Sequence, residues 1–382
     1  MAIRKTLTRW AFRLHGWLGL TASAFFLLFG LSGSGLLFRH ELDRYFNPQW
    51  HQLTPGPTTV SVDSMYRGLV HRYPNLTKIV LHDFPQDRRD SYKFMLYQNP
   101  KRVTDGYLYF VLVNPYTGQI VGEGGYDQIR PSFWRWLYSF HYSLQAGMPG
   151  KLLTAILGIG MLLSLLTGLL IYRKRVWSVL CFRERLRFKN RRVAIASWHR
   201  VVGVWALLAN VLLFGTGALM NVQFFTPSVW KLKPPITNYR VPVNLDSVLV
   251  RSRVVRGFAP IAVNIPTRKG EPVLVRGHFS QTLFFLYRGK ASHVAFDAQT
   301  GAVKAISDID EQPAGRRFDW GVYQIHIGHF GGDVVRWLYV LLGLTPGLLS
   351  ITGAWLWLRR KRVPKPARET TTRQHRRVNR RQ

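Results

Sequence analysis

Four stretches of this chain carry no Asp, Glu, Lys or Arg: Leu14–Phe38, Leu152–Tyr172, Val201–Trp230 and Trp337–Leu358, of 25, 21, 30 and 22 residues. A helix needs about 20 apolar residues to cross the hydrocarbon core of a bilayer. Each stretch is long enough, and the pattern predicts an integral membrane protein with four spanning helices. The polar segments between them follow a different rhythm. Residues 60–73 read as a short amphipathic helix started by Ser61 or Asp63, and strand-like runs follow at Lys78–His82, Tyr92–Tyr97, Tyr107–Val113 and Gln119–Glu123. The second half offers Val273–Arg276, Thr282–Tyr287, His293–Asp297 and Ala302–Ile306. Each polar segment therefore reads as a small α+β unit. Phe133–Leu144 and Phe318–His329 read as short interfacial aromatic helices.

Self-comparison explains why the halves look alike. At an offset of 184, His15-Gly16-Trp17-Leu18-Gly19 overlays His199-Arg200-Val201-Val202-Gly203, and Ser32-Gly33 overlays Thr216-Gly217. At 183, Asn114–Gly118 meets Asp297–Gly301. At 185, Phe133, Tyr138, His141 and Gly147 meet Phe318, Tyr323, His326 and Gly332, and Thr167-Gly168 meets Thr352-Gly353. A near-constant offset along the whole chain indicates two copies of span, external domain, span. Both copies enter the membrane in the same direction, so the pseudo-twofold axis is expected to run along the membrane normal.

The expected division is a cytoplasmic N-terminus (1–13), spans at 14–38, 150–172, 199–222 and 335–358, external domains with their interfacial helices at 39–149 and 223–334, a basic loop at 173–198 and a basic tail at 359–382. Charge sets the orientation. Residues 1–16, 173–200 and 359–382 hold 25 Lys and Arg against two acids, Glu184 and Glu369, whereas the rest of the chain holds 28 against 17. The positive-inside rule places the first group in the cytoplasm. The net charge of +34 is thus chiefly a topology signal facing lipid, and a nucleic-acid partner is not expected. The first stretch has the basic start of a signal peptide. It is longer than a signal's apolar region and ends Gly33-Ser34-Gly35-Leu36-Leu37-Phe38 with no Ala-x-Ala pattern, so it reads as a retained helix.

Cys181 is the single cysteine among 382 residues, which excludes an intramolecular disulfide framework, a Cys-ligated zinc or iron–sulfur site and covalently attached haem. Histidine carries the chemistry instead. Of twelve, only His15 with His199 and His141 with His326 correspond between the halves, the first pair at the cytoplasmic ends of spans and the second on the outer side. Matched imidazoles facing each other across an axis offer two nitrogen donors, suited to the axial positions of a non-covalent b-type haem. Gly19 and Gly203, one turn after His15 and His199, leave room for a flat macrocycle. Trp10, Trp17, Trp198 and Trp205 near one pair, and Trp134, Trp136, Tyr138, Trp320 and Tyr323 near the other, make the surroundings aromatic. His329, one helical turn after His326, is the alternative ligand to it. His40, His51, His71, His82, His278, His293 and His375 have no His counterpart and are not expected to ligate. The Gly and Ser/Thr pairs inside the spans read as small residues that permit close helix packing. No nucleotide-binding glycine loop, Walker loop, His-Glu-x-x-His or Gly-x-Ser-x-Gly occurs.

The His15-Gly-Trp-Leu-Gly-Leu start, the Ser-Gly late in span one, the Tyr-x-x-His before spans two and four and the Asn-Pro-x-Thr-Gly hairpin resemble the PepSY-associated transmembrane helix family, over nearly the whole chain. Within it the chain is most similar to the inner-membrane ferric-siderophore reductases. The resemblance implies four spans, two periplasmic PepSY-like domains and two b-type haems, with axial ligands His15 and His199 on the inner side and His141 and His326 on the outer. It implies a bacterial inner-membrane enzyme that reduces an Fe(III)-siderophore, of hydroxamate type, with electrons from quinol or a cytoplasmic reductase. Two other functions compete: a permease for the iron or its chelate, and a non-redox PepSY-type binding or regulatory protein. Uncharged spans with His at their ends weigh against transport, and the paired His are unexplained by pure binding.

Overall fold

The computed structural model describes residues 2–85, 87–232, 239–282 and 284–359, without the side chains of 2–5. The basic tail expected at 359–382, with His375, lies almost wholly outside the described residues. The first half runs α1 (Ala2–Thr21), α2 (Ser23–Leu36), α3 (Arg39–Phe46), α4 (Val62–Arg72), strands β1 (Leu76–Leu81), β2 (Tyr92–Gln98), β3 (Leu108–Val113) and β4 (Ile120–Gly125), then α5 (Phe133–Ser143) and α6 (Gly147–Tyr172). After a short α7 (Val176–Leu180), the second half runs α8 (Arg191–Trp205), α9 (Leu207–Met220), α10 (Leu245–Arg253), β5 (Phe258–Ile265), β6 (Val273–Phe279), β7 (Ser292–Phe296), β8 (Val303–Ser307), α11 (Ala314–Ile327) and α12 (Gly332–Leu358).

Two helices, α6 and α12, are long and apolar enough to cross a membrane alone. The stretches expected as straight first and third spans are instead bent pairs, α1 with α2 at 61° and α8 with α9 at 64°, and the total is four if each pair counts as one span. The breaks fall at Ala22 and Ala206. Beside the first, the Thr21 hydroxyl donates to the Trp17 carbonyl and the Ser23 hydroxyl to the Leu20 carbonyl. Such back-bonding competes with the helical ladder and favours a bend.

The external segments are not two separate sheets. Their strands form one eight-stranded antiparallel sheet in the order β4-β3-β2-β1-β5-β6-β7-β8. At the centre β1 and β5 pair, Ile79 with Ile265 and Leu81 with Val263, so each half covers an edge that the other would leave open. Helices α4 and α10 lie on one face over a core drawn from both halves, including Tyr66, Leu69, Ile79, Phe94, Leu245, Val248, Val263 and Phe296. Strand alternation sends Val80, Met95, Phe110 and Leu112 to the other face, around Trp50 and Tyr126.

β5 is absent from the sequence expectation because Pro260 interrupts it. The chain tolerates that proline at a register shift between Pro260 and Ala262, where a missing N–H costs no ladder bond. Conversely, Thr282–Tyr287 is not a strand: Phe285–Tyr287 is a single 3₁₀ turn whose rings Phe284, Phe285 and Tyr287 pack on one another.

The halves are also tied at the helix N-termini. Ser61 and Asn244 cap α4 and α10, while the Asp246 carboxylate accepts from the Val62 and Asp63 amides and Asp63 accepts from the Leu245 amide. Each carboxylate thus serves the other half's helix. Replacing Asp246 with Ala orphans two amide donors, and the loss expected is about 1–2 kcal/mol, read as a lower thermal unfolding temperature of the detergent-solubilised protein.

Candidate functional site

The structure brings the matched histidines together. His15 on α1 and His199 on α8 face each other with ring centroids 6.2 Å apart and planes at 78°. His141 on α5 and His326 on α11 do the same at 6.1 Å and 39°. Two imidazoles bound to opposite sides of one metal ion, through bonds of about 2 Å and with each ring nitrogen about 1.1 Å from its centroid, place their centroids about 6.2 Å apart. Both pairs have that spacing.

The protonation state of each ring follows from its hydrogen bonds. His141 Nδ1 lies 2.8 Å from Ser32 Oγ, His326 Nδ1 3.1 Å from Thr216 Oγ1 and His199 Nδ1 2.9 Å from Thr352 Oγ1. Those hydroxyls already donate to carbonyls of their own helices, Leu28, Leu212 and Leu348. A hydroxyl has one proton, so its oxygen must accept from Nδ1–H. His15 Nδ1 donates directly to the Ser164 carbonyl at 2.9 Å, and His326 Nδ1 also faces the Leu213 carbonyl at 3.1 Å. With Nδ1 carrying the proton, the Nε2 lone pair is the free donor, which is the state a metal ligand needs.

Behind each ring lies a glycine. A Cβ at Gly33 or Gly217 would sit 3.0 Å from Cε1 of His141 or His326, at Gly168 3.1 Å from that of His15, and at Gly353 3.2 Å from that of His199. Ser32-Gly33, Thr167-Gly168, Thr216-Gly217 and Thr352-Gly353 therefore form four matching cradles, in which the hydroxyl residue belongs to the hydrogen-bond shell and the glycine admits the ring. The sequence reading assigned these dipeptides to helix packing. Their signal was present in the offset that aligned them with each other and with the His pairs.

His329 is not stacked one turn above His326. Gly328, at φ 65°, ends α11, and His329 falls in the following turn, on the wall of the same cavity but outside the pair. Trp10, Trp17, Trp198 and Trp205 lie on the outer surface of their helices, as a membrane-interface belt does, and do not enclose the His15/His199 pair. Around the other pair, Tyr138, Trp320 and Tyr323 do line the site.

His141 and His326 open into a cavity of about 740 Å³ between the helices and the sheet, within the range of about 300–1,000 Å³ typical of ligand pockets. On its sheet side, His82 donates to Asp83 at 2.5 Å and Lys290 pairs with Asp83 at 2.6 Å, joining the two halves. Burial pushes His82 down to about 4, helped by the Lys93 charge and opposed by its bond to Asp83. Burial alone would raise Asp83, but the His82 bond and the Lys290 charge hold it well below the usual carboxylate range. Gly158 on the cavity wall and Gly168 behind His15 are ten residues apart along α6, as are Gly343 on that wall and Gly353 behind His199 along α12; that is about 15 Å of helix axis between the cavity and the His15/His199 pair. Phe26, Phe214, Met161 and Leu165 fill the space between.

Among the described residues no three His, Cys, Asp or Glu side chains converge on a common point. The donor set is two imidazoles at each centre, with a glycine-backed ring and a free Nε2. Beside the His15/His199 pair, a Cβ at Gly19 would meet no atom within 4 Å. Two nitrogen donors with a cavity beside them fit a b-type haem at the His141/His326 pair, and the His15/His199 pair offers the same two donors at the same spacing.

A helical membrane unit with paired imidazoles beneath one extramembrane sheet defines the class. The chain belongs to the PepSY-associated TM region family, which it matches over residues 12–360, and it is a membrane protein. It is similar to the uncharacterized protein PA4219 of Pseudomonas aeruginosa, with 26% identity over 266 residues, 61% of this chain and 65% of that protein. The chain thus spans just under two thirds of the length of this curated relative.

Two outcomes test the site. Gly33→Ala should cost about 1–3 kcal/mol through overpacking against His141, whereas Gly160→Ala, where a Cβ meets nothing within 4 Å, should be neutral; thermal unfolding of the two variants compares them directly. Stability should also fall as pH drops from about 6.5 towards 4. Over that window an unfolded His82 binds a proton at its ordinary pKa of about 6.5 while the folded one does not, and His82→Gln should flatten the dependence.

Proposed function

We propose that this chain is a di-haem b reductase of the bacterial inner membrane that passes electrons across the bilayer to an Fe(III)-siderophore in the periplasm. In this reading the two halves are tandem repeats about an axis along the membrane normal, both termini are cytoplasmic, and the sheet is the periplasmic PepSY-like part. The observation that carries it is the pair of imidazole pairs, with ring centroids 6.2 and 6.1 Å apart and Nδ1 committed in every ring.

When bound, each haem supplies a one-electron iron couple at its end of the membrane. The chain's own residues do the rest. His15 and His199 would hold the inner group, and His141 and His326 the outer. Ser32, Thr216 and Thr352 and the Ser164 carbonyl keep the Nδ1 protons in place, so that the rings stay neutral and oriented. The Phe26–Phe214 core excludes water between the two centres.

The proposed net reaction is Fe(III) + e⁻ → Fe(II) on the chelate, with the electron supplied by quinol or a cytoplasmic reductase. Hard oxygen donors such as hydroxamates hold Fe(III) tightly and Fe(II) weakly, so one electron frees the metal and leaves the chelator intact. The sheet would receive the chelate.

Protein purified in detergent from haem-replete cells should be red, with two haems per chain and a Soret band that sharpens on dithionite reduction. His15→Ala or His199→Ala should remove about half of the absorbance and His141→Ala or His326→Ala the other half, while His329→Ala leaves both. Colourless wild-type protein overturns the proposal.

A further inference from the structure

Lys151 stands out by comparison with its own counterpart. At the offset of 185 that aligns the last span of each half, Lys151 near the start of α6 corresponds to Arg336 near the start of α12. Arg336 is fully neutralised by its own chain: it pairs with Glu41 at 2.7 Å and Asp333 at 2.9 Å, donates to the Leu37 carbonyl at 2.6 Å and lies over the Phe38 ring. Around Lys151 the positions matching those two acids are Met148, at the offset of 185 from Asp333, and Phe225, at 184 from Glu41. Lys151 accordingly has no carboxylate within ion-pair distance among the described residues, and its ammonium rests on the faces of Tyr107, Phe224 and Tyr142 at 3.9, 5.0 and 5.4 Å. It is 9% exposed, so its charge is largely withdrawn from lipid headgroups and bulk water. It lines the cavity that holds His141 and His326.

A buried cation without an anion is costly, and aromatic faces offset only part of that cost. A charged donor on a cavity wall with no acid of its own specifies an occupant that brings its own oxygen anion. An apolar occupant would leave it stranded.

We propose that Lys151 is the counter-charge for a carboxylate of the macrocycle held between His141 and His326. This rests on the haem reading above and adds what orients the outer group and excludes an uncharged porphyrin from it.

The test uses full-length protein made in haem-deficient cells, in detergent, with His15→Ala so that only the outer pair is read. Protohaem and its dimethyl ester, in which both carboxylates are blocked, are titrated by Soret absorbance. Protohaem should bind tighter than the ester by about tenfold or more. Lys151→Met should abolish that preference, Lys151→Arg should keep most of it, and Arg336→Met should keep it whatever it does to stability. Equal affinity for the two porphyrins in the Lys151-containing protein, a measurement that needs no Lys151 variant to fold, overturns the inference and leaves the haem reading standing. An unchanged preference in Lys151→Met overturns it equally. Protein that binds neither porphyrin removes the haem reading and this one with it.

Discussion

A hydroxyl or carbonyl on one helix accepting the Nδ1 proton of a histidine on another is the interaction on which the rest of this structure turns. It recurs at all four ring positions, and at each the acceptor lies within a few residues of the glycine that backs the ring. The bond fixes the tautomer, the glycine fixes the depth of the ring, and together they leave Nε2 as the free donor. Neither works alone. A side chain on the glycine would push the ring off its acceptor, and without the acceptor the ring could rotate and present either nitrogen. Imidazole in an apolar helix bundle is expensive unless every polar atom has a use; here one nitrogen is spoken for inside the chain, and a second ring lies about 6 Å away.

Facing rings demand that the halves stay in register, and the sheet supplies the constraint. β1 against β5 makes one eight-stranded surface of what would otherwise be two four-stranded ones, with a common core beneath α4 and α10. The reciprocal bonds of Asp63 and Asp246 and the Lys290–Asp83 pair cross the same seam. α5 and α11, which carry His141 and His326, lead straight from the sheet to α6 and α12. The pairing of strands thus sets the distance between two histidines that belong to different halves of the chain.

Much of this was legible in the sequence, and the failures have specific causes. Uncharged runs reveal where apolar helices lie because charge is excluded from hydrocarbon. They do not reveal the bends at Ala22 and Ala206, which depend on local hydrogen bonding and on what each arm packs against. The His pairs were legible because a repeat offset aligns residues that share a role. The Ser/Thr-Gly cradles aligned just as well, yet small residues in a span have a ready explanation in packing, and only the geometry separates a glycine that admits a helix from one that admits a ring. β5 was hidden by Pro260, and the Phe284–Tyr287 aromatics imitated a strand. Whether two α+β units sit apart or share a sheet is a long-range property that no local pattern encodes.

Under the proposed function a scaffold with two like haem ends does not suit a chain that moves electrons one way. Direction has to come from where the symmetry is broken, and in this chain it is broken by charge. The cavity at His141 and His326 is lined by Arg39, Lys151, Arg288 and Lys290, with Asp83 as the one acid among its lining residues, and Asp83 is already engaged by Lys290. Excess positive charge in a poorly solvated space favours an added electron and attracts anions. Met148 and Phe225, which stand around Lys151 where Asp333 and Glu41 stand around Arg336, contribute to that excess, because they leave Lys151 without an acid while Arg336 has two. Under the proposed function, the same asymmetry that holds the outer group by its carboxylate also makes the sheet side the downhill end of the path.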